Sequence, residues 1–148
     1  MRFELMYDSF FKIIQGIPLT LEVVFLSTIF GLFLAVGVAL MRVSNNKIFS
    51  NFAYYFIYTI RGTPLLLQLF FIYYGLAQFT FIRESFLWFF LEDPLFCGIL
   101  TLTLSTAAYS AEIIRGGMQS VAAGYIEAGS SMGMSKMLRL RKIILPIT

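Results

Sequence analysis

The sequence predicts an all-α, polytopic membrane protein with three transmembrane helices and a short helical hairpin after them. Of its 148 residues, 59% are hydrophobic and only 13% are charged, whereas soluble domains carry about 25% charged residues. Long apolar stretches alternate with short polar ones, and the chain becomes polar, basic and glycine-rich at 127–146. The net charge of +3 comes mostly from cations beside apolar stretches. Such cations orient helices in a membrane, so we expect no binding of nucleic acid.

The first predicted transmembrane helix covers residues 17–41, after an external or interfacial segment at 1–16. Its stretch at 23–41 contains 19 residues without a charge, and a helix of that length is roughly 28 Å long. Small side chains in this stretch would let another helix approach closely, unless they only face lipid. They are Ser27, Gly31, Ala35 and Gly37.

The apolar stretch after the first polar loop is too long for one span and should break at the sequence RGTP. Arg61 is its only charged residue, and as one straight helix it would measure about 50 Å, against a hydrocarbon core of about 30 Å. Proline lacks a backbone donor and disfavours helical geometry in the preceding residue, so Gly62 and Pro64 mark the break. We expect an interfacial helix at 48–60 and the second transmembrane helix at 64–82.

The third predicted transmembrane helix covers residues 94–114, after an external interfacial turn at 83–94. This turn places three carboxylates beside aromatic residues around Trp88, a composition typical of the headgroup region. Cations flank the loop at 42–47 and follow the third helix. The positive-inside rule therefore predicts an external amino terminus and a cytoplasmic segment after Glu112.

The cytoplasmic segment predicts a hairpin of two short helices at 124–146. The sequence RGG at 115–117 should end the third transmembrane helix, and Gly124 should cap the first short helix. Glu127 would then lie near the exposed amides of its first turn. Gly133 should end that helix, because glycine readily adopts the left-handed conformation.

The second short helix is predicted to begin at Ser135, a good N-cap residue, and to be basic. The proline of LP at 145–146 should interrupt or reorient it. Small residues on the tip of the hairpin would allow close insertion into a groove of another protein, while a merely solvated hairpin is the alternative. The tip residues are Ala128, Gly129 and Ser130.

The residues that most often carry catalysis and metal binding are scarce. The chain has no histidine, and Cys97 is its single cysteine, so neither a histidine-based catalytic triad nor the usual zinc ligand sets can form. The phosphate-binding sequence G-x-x-x-x-G-K-[ST] does not occur. We therefore expect a non-enzymatic chain that binds no cofactor, so that a partner or a gradient must supply energy.

Three stretches together resemble one protein family. EAGSSMG at 127–133, followed by IILP, resembles the EAA motif of permease subunits of ATP-binding-cassette importers. RGTPLLLQLFFIYYGL at 61–76 and AAYSAEIIRGGMQSV at 107–121 resemble signature stretches of the subfamily that imports polar amino acids. The resemblance extends over residues 17–148, in register, and implies a type I transmembrane domain.

The resemblance implies an importer in the bacterial cytoplasmic (inner) membrane that contains several subunits. The permease would pair with a second permease subunit, identical or sister, and with two cytoplasmic ATPase subunits that use ATP and Mg. An external solute-binding protein would deliver the substrate. Importers of arginine, glutamine, histidine and cystine all fit the resemblance, while a membrane scaffold that recruits a partner without transport is the second hypothesis.

Two sets of functional residues are expected. The resemblance implies the coupling set and the RGTP turn, and Gln68 and Tyr109 are added to the path because they are polar groups within predicted spans. The hairpin would be the coupling helix that contacts the ATPase, and the RGTP turn would lie beside the translocation path or gate. For Arg61 an interfacial cation is the alternative, and for Gln68 and Tyr109 it is hydrogen bonding between helices. Glu112 and Arg115 are expected to form a surface ion pair. The coupling set is Glu127, Ala128, Gly129, Ser130 and Gly133, and the path set is Arg61, Gly62, Thr63, Pro64, Gln68 and Tyr109.

The sequence departs from the family pattern in two main places. Gly129 replaces the second alanine of E-A-A, and glycine inside a helix costs roughly 0.5 to 1 kcal/mol relative to alanine, so it is expected to loosen the hairpin. Family members continue past LP with two more spanning helices, whereas this sequence ends at Thr148. We therefore expect a truncated domain, and a chain that ended here would lack half of the substrate path.

Overall fold

A computed structural model describes the backbone of residues 2–147 and the side chains of residues 9–147. Every regular element in this described part is helical. In chain order the α-helices are α1 Arg2–Arg42, α2 Lys47–Gly62, α3 Leu65–Phe70, α4 Thr80–Arg83, α5 Trp88–Leu91, α6 Pro94–Ser120, α7 Ala123–Ser131, α8 Lys136–Arg139 and α9 Leu145–Ile147. A π-turn (Phe71–Gly75) and a 3₁₀-turn (Leu76–Gln78) extend α3, and a second π-turn (Leu140–Ile144) joins α8 to α9.

Helix α1 is one continuous helix of 41 residues, so the first helix begins at Arg2 and not near residue 17. It passes through Pro18 without ending. Two residues later the Thr20 hydroxyl donates a hydrogen bond to the carbonyl oxygen of Gly16, at 2.9 Å. The sequence offered no stop signal upstream of Pro18 other than its charges, and charged residues are compatible with helical geometry.

Two helices of the described part are long and apolar enough to cross a membrane on their own, Ser9–Arg42 and Pro94–Ser120. The helices before and after the RGTP break, Lys47–Gly62 and Leu65–Gln78, pass the same test only together, as a broken span or a re-entrant loop. The break itself is confirmed, since α2 ends at Gly62 and α3 begins after Pro64.

The helix after the break is shorter than the predicted 64–82. It ends at Gln78, and the backbone of Phe79 is extended, with φ −86° and ψ 115°. The π-turn and the 3₁₀-turn before this point replace the regular hydrogen bonds of an α-helix. This change of winding within an apolar run leaves no trace in hydropathy, which is why the sequence suggested one uninterrupted helix.

The structure divides into two compact units, each of which receives parts of α1 and α6. The first unit contains the chain up to Gly31 and Thr63–Thr106. Within it, Ser27 is buried and its hydroxyl lies 3.4 Å from the carbonyl oxygen of Ile99. A Cβ atom added at Gly31 would lie 2.6 Å from the Cβ atom of Thr106. At these small residues α1 and α6 therefore pack almost backbone to backbone, as predicted.

The second unit contains Leu32–Gly62 and the chain from Ala107 onward. Its core is built largely from alanine, which again permits closely packed helices. In contrast, a Cβ atom added at Gly37 would meet no other described atom within 4 Å, so this small residue has no packing role here. One cluster of buried residues in this core comprises Ala35, Val38, Ala39, Ala53, Ile57 and Ala111.

Helix α6 begins at a capped end and extends past the predicted stop. The Asp93 carboxylate accepts a hydrogen bond from the backbone N–H of Leu95, at 2.9 Å. The RGG sequence does not end the helix, which continues to Ser120. The Arg115 side chain reaches across the two glycines to Gln119 on the next turn. Such i,i+4 pairs support a helix that glycine alone would weaken.

Candidate functional site

The first helix of the hairpin has its N-cap two residues earlier than predicted. Ala122 is its N-cap, with φ −59° and ψ 137°, and Gly124 lies inside α7. Glu127 therefore lies in the second turn and not beside the free amides of the first. Alanine has no side chain that could cap a helix, so the sequence contained no signal for this start.

The hairpin turn is a Schellman motif centred on Gly133, which confirms that this glycine ends the helix. Gly133 has a φ of 74°, in the left-handed region. The N–H of Met134 donates to the carbonyl oxygen of Gly129, and the N–H of Gly133 donates to that of Ser130, both at 3.0 Å. These two bonds satisfy carbonyl groups that the helix end would otherwise leave unpaired.

The second helix of the hairpin begins at Ser135, as predicted. The Ser135 hydroxyl accepts a hydrogen bond from the N–H of Leu138 at 3.3 Å. The predicted interruption at LP is wrong, because α9 includes Pro146. The π-turn Leu140–Ile144 lies directly before it, and its wider winding accommodates a residue that cannot donate a regular helical hydrogen bond.

Gly129 is buried between the two helices of the hairpin and does not lie on the tip. A Cβ atom added there would lie 2.7 Å from Cδ1 of Ile143 and 3.2 Å from Cδ of Arg139. The glycine thus lets the second helix pack closely, and this packing offsets the loosening expected from its helix propensity. Other predicted coupling residues remain exposed: Glu127, Ala128, Ser130 and Gly133.

The RGTP turn is closed by a side chain from the helix that follows it. Pro64 has φ −60° and ψ 136°, so the chain is extended immediately before α3. The Gln68 side-chain amide donates to the carbonyl oxygen of Thr63 at 2.9 Å and to its hydroxyl at 2.8 Å. Gln68 therefore braces the turn, a local role that differs from both roles considered from the sequence.

Arg61, Gly62 and Tyr109 line one cavity of about 520 Å³ in the second unit. The Cζ atom of Arg61 lies 5.2 Å from the centre of the Tyr109 ring. The predicted ion pair between Glu112 and Arg115 is confirmed, with nitrogen–oxygen distances of 2.6 and 2.9 Å. Both residues also line this cavity.

The cavity is lined by four further residues that the sequence did not indicate, Arg42, Tyr54, Ile57 and Tyr58. The sequence showed that the first transmembrane helix has a basic end, but nothing in it indicated that this end would meet α2 and α6.

Within residues 9–147, no group of three His, Cys, Asp or Glu side chains is placed to hold a metal ion.

These features define a class of protein, a helical integral membrane protein that carries a short capped hairpin outside its spans. Residues 27–148 match the model of the family described as "Binding-protein-dependent transport system inner membrane component". The chain belongs to this family.

Two proteins that are similar to this chain are transport system permeases by name. The chain is 50% identical to the nopaline transport system permease protein NocM of Agrobacterium fabrum, over 99% of this chain and 61% of that protein. It is 46% identical to the octopine transport system permease protein OccM of Rhizobium radiobacter, over 95% of this chain and 58% of that protein. The chain thus spans about three-fifths of the length of these relatives.

The fold is similar to a solved structure described as "Crystal structure of an amino acid ABC transporter with histidines". The TM-score is 0.73 and the sequence identity is 34%, over 93% of this chain and 64% of that one. The all-helical fold class predicted from the sequence is therefore confirmed.

Proposed function

We propose that this chain forms part of the membrane-spanning permease of an ATP-driven importer for polar amino acids. Its family, its permease relatives and its structural neighbour all support this proposal. The chain would cross a bacterial inner membrane several times, with its amino terminus outside and the hairpin in the cytoplasm. The positive-inside rule supports this orientation.

The observation that carries the proposal is the geometry of the hairpin. Its first helix has nine residues and exposes a carboxylate, Glu127, between small residues. Buried Gly129 and the Schellman motif at Gly133 fix this helix against the second, basic helix. A short, firmly held helix with small exposed side chains can enter a groove and transmit movement, because it moves as one body with its neighbour.

We infer that this helix couples the permease to two cytoplasmic ATPase subunits, which would hold ATP and Mg. This chain would bind no cofactor itself and would lack catalytic activity. A second permease subunit, identical or sister, would complete the path, and an external solute-binding protein would deliver the substrate.

The RGTP turn is our candidate for the moving part beside the translocation path. Thr63, Pro64 and Gln68 form a braced break between two helices, where a small backbone change can reorient the helix that follows. Gly62 would permit this change. Arg61 and Tyr109 would anchor the end of α2 through their stacking contact.

The coupling role can be tested with one substitution that removes a negative charge and keeps the side-chain shape, together with a matched control. Glu127→Gln should lower the amount of ATPase that co-purifies with this chain by roughly tenfold, because hydrogen bonds to a charged group are lost. Labelled amino-acid uptake in cells dependent on the gene should fall with it. Glu84→Gln removes another exposed carboxylate, outside the hairpin, and should change neither.

The substrate class can be tested in the same cells by a panel of labelled solutes. The panel should contain nopaline, octopine, histidine, lysine, arginine, ornithine and cystine, the substrates in the names of the relatives. Energy-dependent uptake of at least one of them supports the proposal. Stable association with an ATPase but no uptake of any would instead favour a scaffold that does not transport.

A further inference from the structure

The cavity in the second unit carries an excess of positive charge. Three guanidinium groups and one carboxylate line it, which gives a formal charge of 3 − 1 = +2. The carboxylate of Glu112 is already engaged by Arg115 in a two-bonded ion pair. The excess charge therefore belongs to the other two arginines, Arg42 and Arg61.

Neither of these arginines forms an ion pair with a described side chain, and both act on the carboxylate of Glu112 only through longer-range electrostatics. Across residues 9–147, no carboxylate lies within 4.0 Å of Arg42 or Arg61. The Cζ atom of Arg42 lies 5.1 Å from the ring centre of Tyr54, and that of Arg61 lies 5.2 Å from the ring centre of Tyr109. The Nη1 of Arg42 also donates a hydrogen bond to the Ser50 hydroxyl at 3.0 Å. These contacts hold each guanidinium group in place and leave its other N–H groups able to bind an oxyanion.

The two arginines also lie at helix ends where a membrane surface is expected. Arg42 is the last residue of the apolar helix α1, and Arg61 lies in the last turn of α2. Helix α2 exposes large aromatic side chains, Phe49, Phe52 and Tyr55, and buries Ala53. An amphipathic helix with exposed aromatic residues and flanking cations is typical of the headgroup layer.

We propose that the cavity binds a phosphate group, with Arg42 and Arg61 as its direct ligands, and that an anionic phospholipid headgroup supplies it. Free phosphate shares this chemistry and is the other source. Basic pockets between membrane helices are suited to anionic headgroups, because the phosphate is neutralised where the acyl chains can remain in the bilayer. The proposal requires neither the orientation of the chain nor its transport activity.

Native mass spectrometry of the detergent-solubilised full chain tests this site. Phosphatidylglycerol and phosphatidylcholine are added in equal amounts, and the retained lipid is counted. The chain should retain phosphatidylglycerol in preference, and Arg61→Gln should weaken this retention roughly tenfold or more, since charge-assisted hydrogen bonds are lost. Arg61→Lys keeps the charge but loses the guanidinium contact with the Tyr109 ring, and it should weaken the retention of phosphatidylglycerol by about two- to fivefold.

Arg83→Gln provides the matched control. Arg83 also lies over an aromatic ring, with its Cζ atom 5.7 Å from the centre of the Trp88 ring, but it does not line this cavity. Its substitution should leave the retention of phosphatidylglycerol unchanged. Circular dichroism verifies that each variant keeps its helix content, so that a loss of binding reports the site and not unfolding.

Competition experiments separate the sources of the anion. Displacement of phosphatidylglycerol by millimolar inorganic phosphate supports a phosphate site open to both sources, and resistance to it supports a lipid site. Displacement by free amino acids, but not by phosphate, would assign the cavity to a solute and overturn the proposal. Equal retention by the Arg42→Gln/Arg61→Gln variant and the unmodified chain would overturn it as well.

Discussion

Two contacts in this molecule depend on glycine, and they differ in what surrounds the missing side chain. At Gly31, in the first unit, an added Cβ atom would meet the Cβ atom of Thr106 at 2.6 Å and the carbonyl oxygen of Thr103 at 3.1 Å. At Gly129, in the hairpin, it would meet the flexible end of Ile143 at 2.7 Å. Backbone and Cβ atoms cannot move without moving a helix, whereas a terminal methyl group can rotate away. The first contact is therefore rigid, and the second can yield.

This difference shows how the same residue can serve two purposes. Helices inside a bilayer gain little from hydrophobic burial against each other, so close packing of small residues supplies much of their association. The hairpin instead closes through local hydrogen bonds at Gly133 and Ser135, and its glycine adjusts the fit. The rigid contact holds two long helices together, and the yielding one adjusts the fit within the hairpin.

The largest expected effect comes from filling the rigid contact. Gly31→Leu should destabilise the protein by about 3 kcal/mol, because overpacking forces the two helices apart. The measurement is unfolding of the chain in mixed micelles at increasing denaturing detergent. Gly37→Leu lies on the same helix, where no described atom would meet an added Cβ within 4 Å, and is the control. Equal stability of the two variants would contradict the rigid contact.

An intermediate effect is expected from breaking the turn of the hairpin. Gly133→Ala should destabilise the hairpin by about 1 to 2 kcal/mol, because a side chain disfavours the left-handed conformation at φ 74°. Hydrogen exchange of the backbone amides at positions 133 and 134 measures this local opening. Gly124→Ala adds the same methyl group inside α7, at an open position, and should slow exchange or leave it unchanged. Faster exchange in both variants would count against the Schellman motif.

The elements that the sequence predicted correctly are those that single residues determine. Pro64 breaks a helix because its ring is incompatible with one, and Gly133 ends a helix because it tolerates a positive φ. Ser135 begins a helix because its own hydroxyl caps it. Each of these effects acts within four residues, so no knowledge of the tertiary structure was needed.

The features that were missed depend on contacts with more distant residues or on compensation nearby. RGG does not end α6, because Arg115 reaches to Gln119 across its glycines, and Pro146 does not interrupt the last helix, because a π-turn precedes it. The burial of Gly129 follows from the fold of the hairpin. The cavity around Arg42 and Arg61 arises only when three helices meet, which no local pattern records.

The smallest expected effect on stability comes from Gly129→Ala, and it tests most directly how the contact at Gly129 differs from the one at Gly31. Gly129→Ala should change stability by less than about 0.5 kcal/mol, because the gain in helix propensity and the strain against Ile143 oppose each other. Ile143→Val removes Cδ1, the atom that an added Cβ atom would meet at 2.7 Å. In that background Gly129→Ala should become stabilising, by about 0.5 kcal/mol, since the propensity gain then meets less resistance.

A double-mutant cycle over Gly129 and Ile143 isolates this coupling. Gly31 has no such rescue, since Thr106 meets it through its own Cβ atom, which no substitution except glycine removes. A cycle with Gly31→Ala and Thr106→Ala should therefore leave most of the destabilisation in place. If Thr106→Ala restored stability as fully as Ile143→Val does in the hairpin, the two contacts would not differ in rigidity. The contact at Gly31 would then owe its tightness to side chains and not to the approach of two backbones.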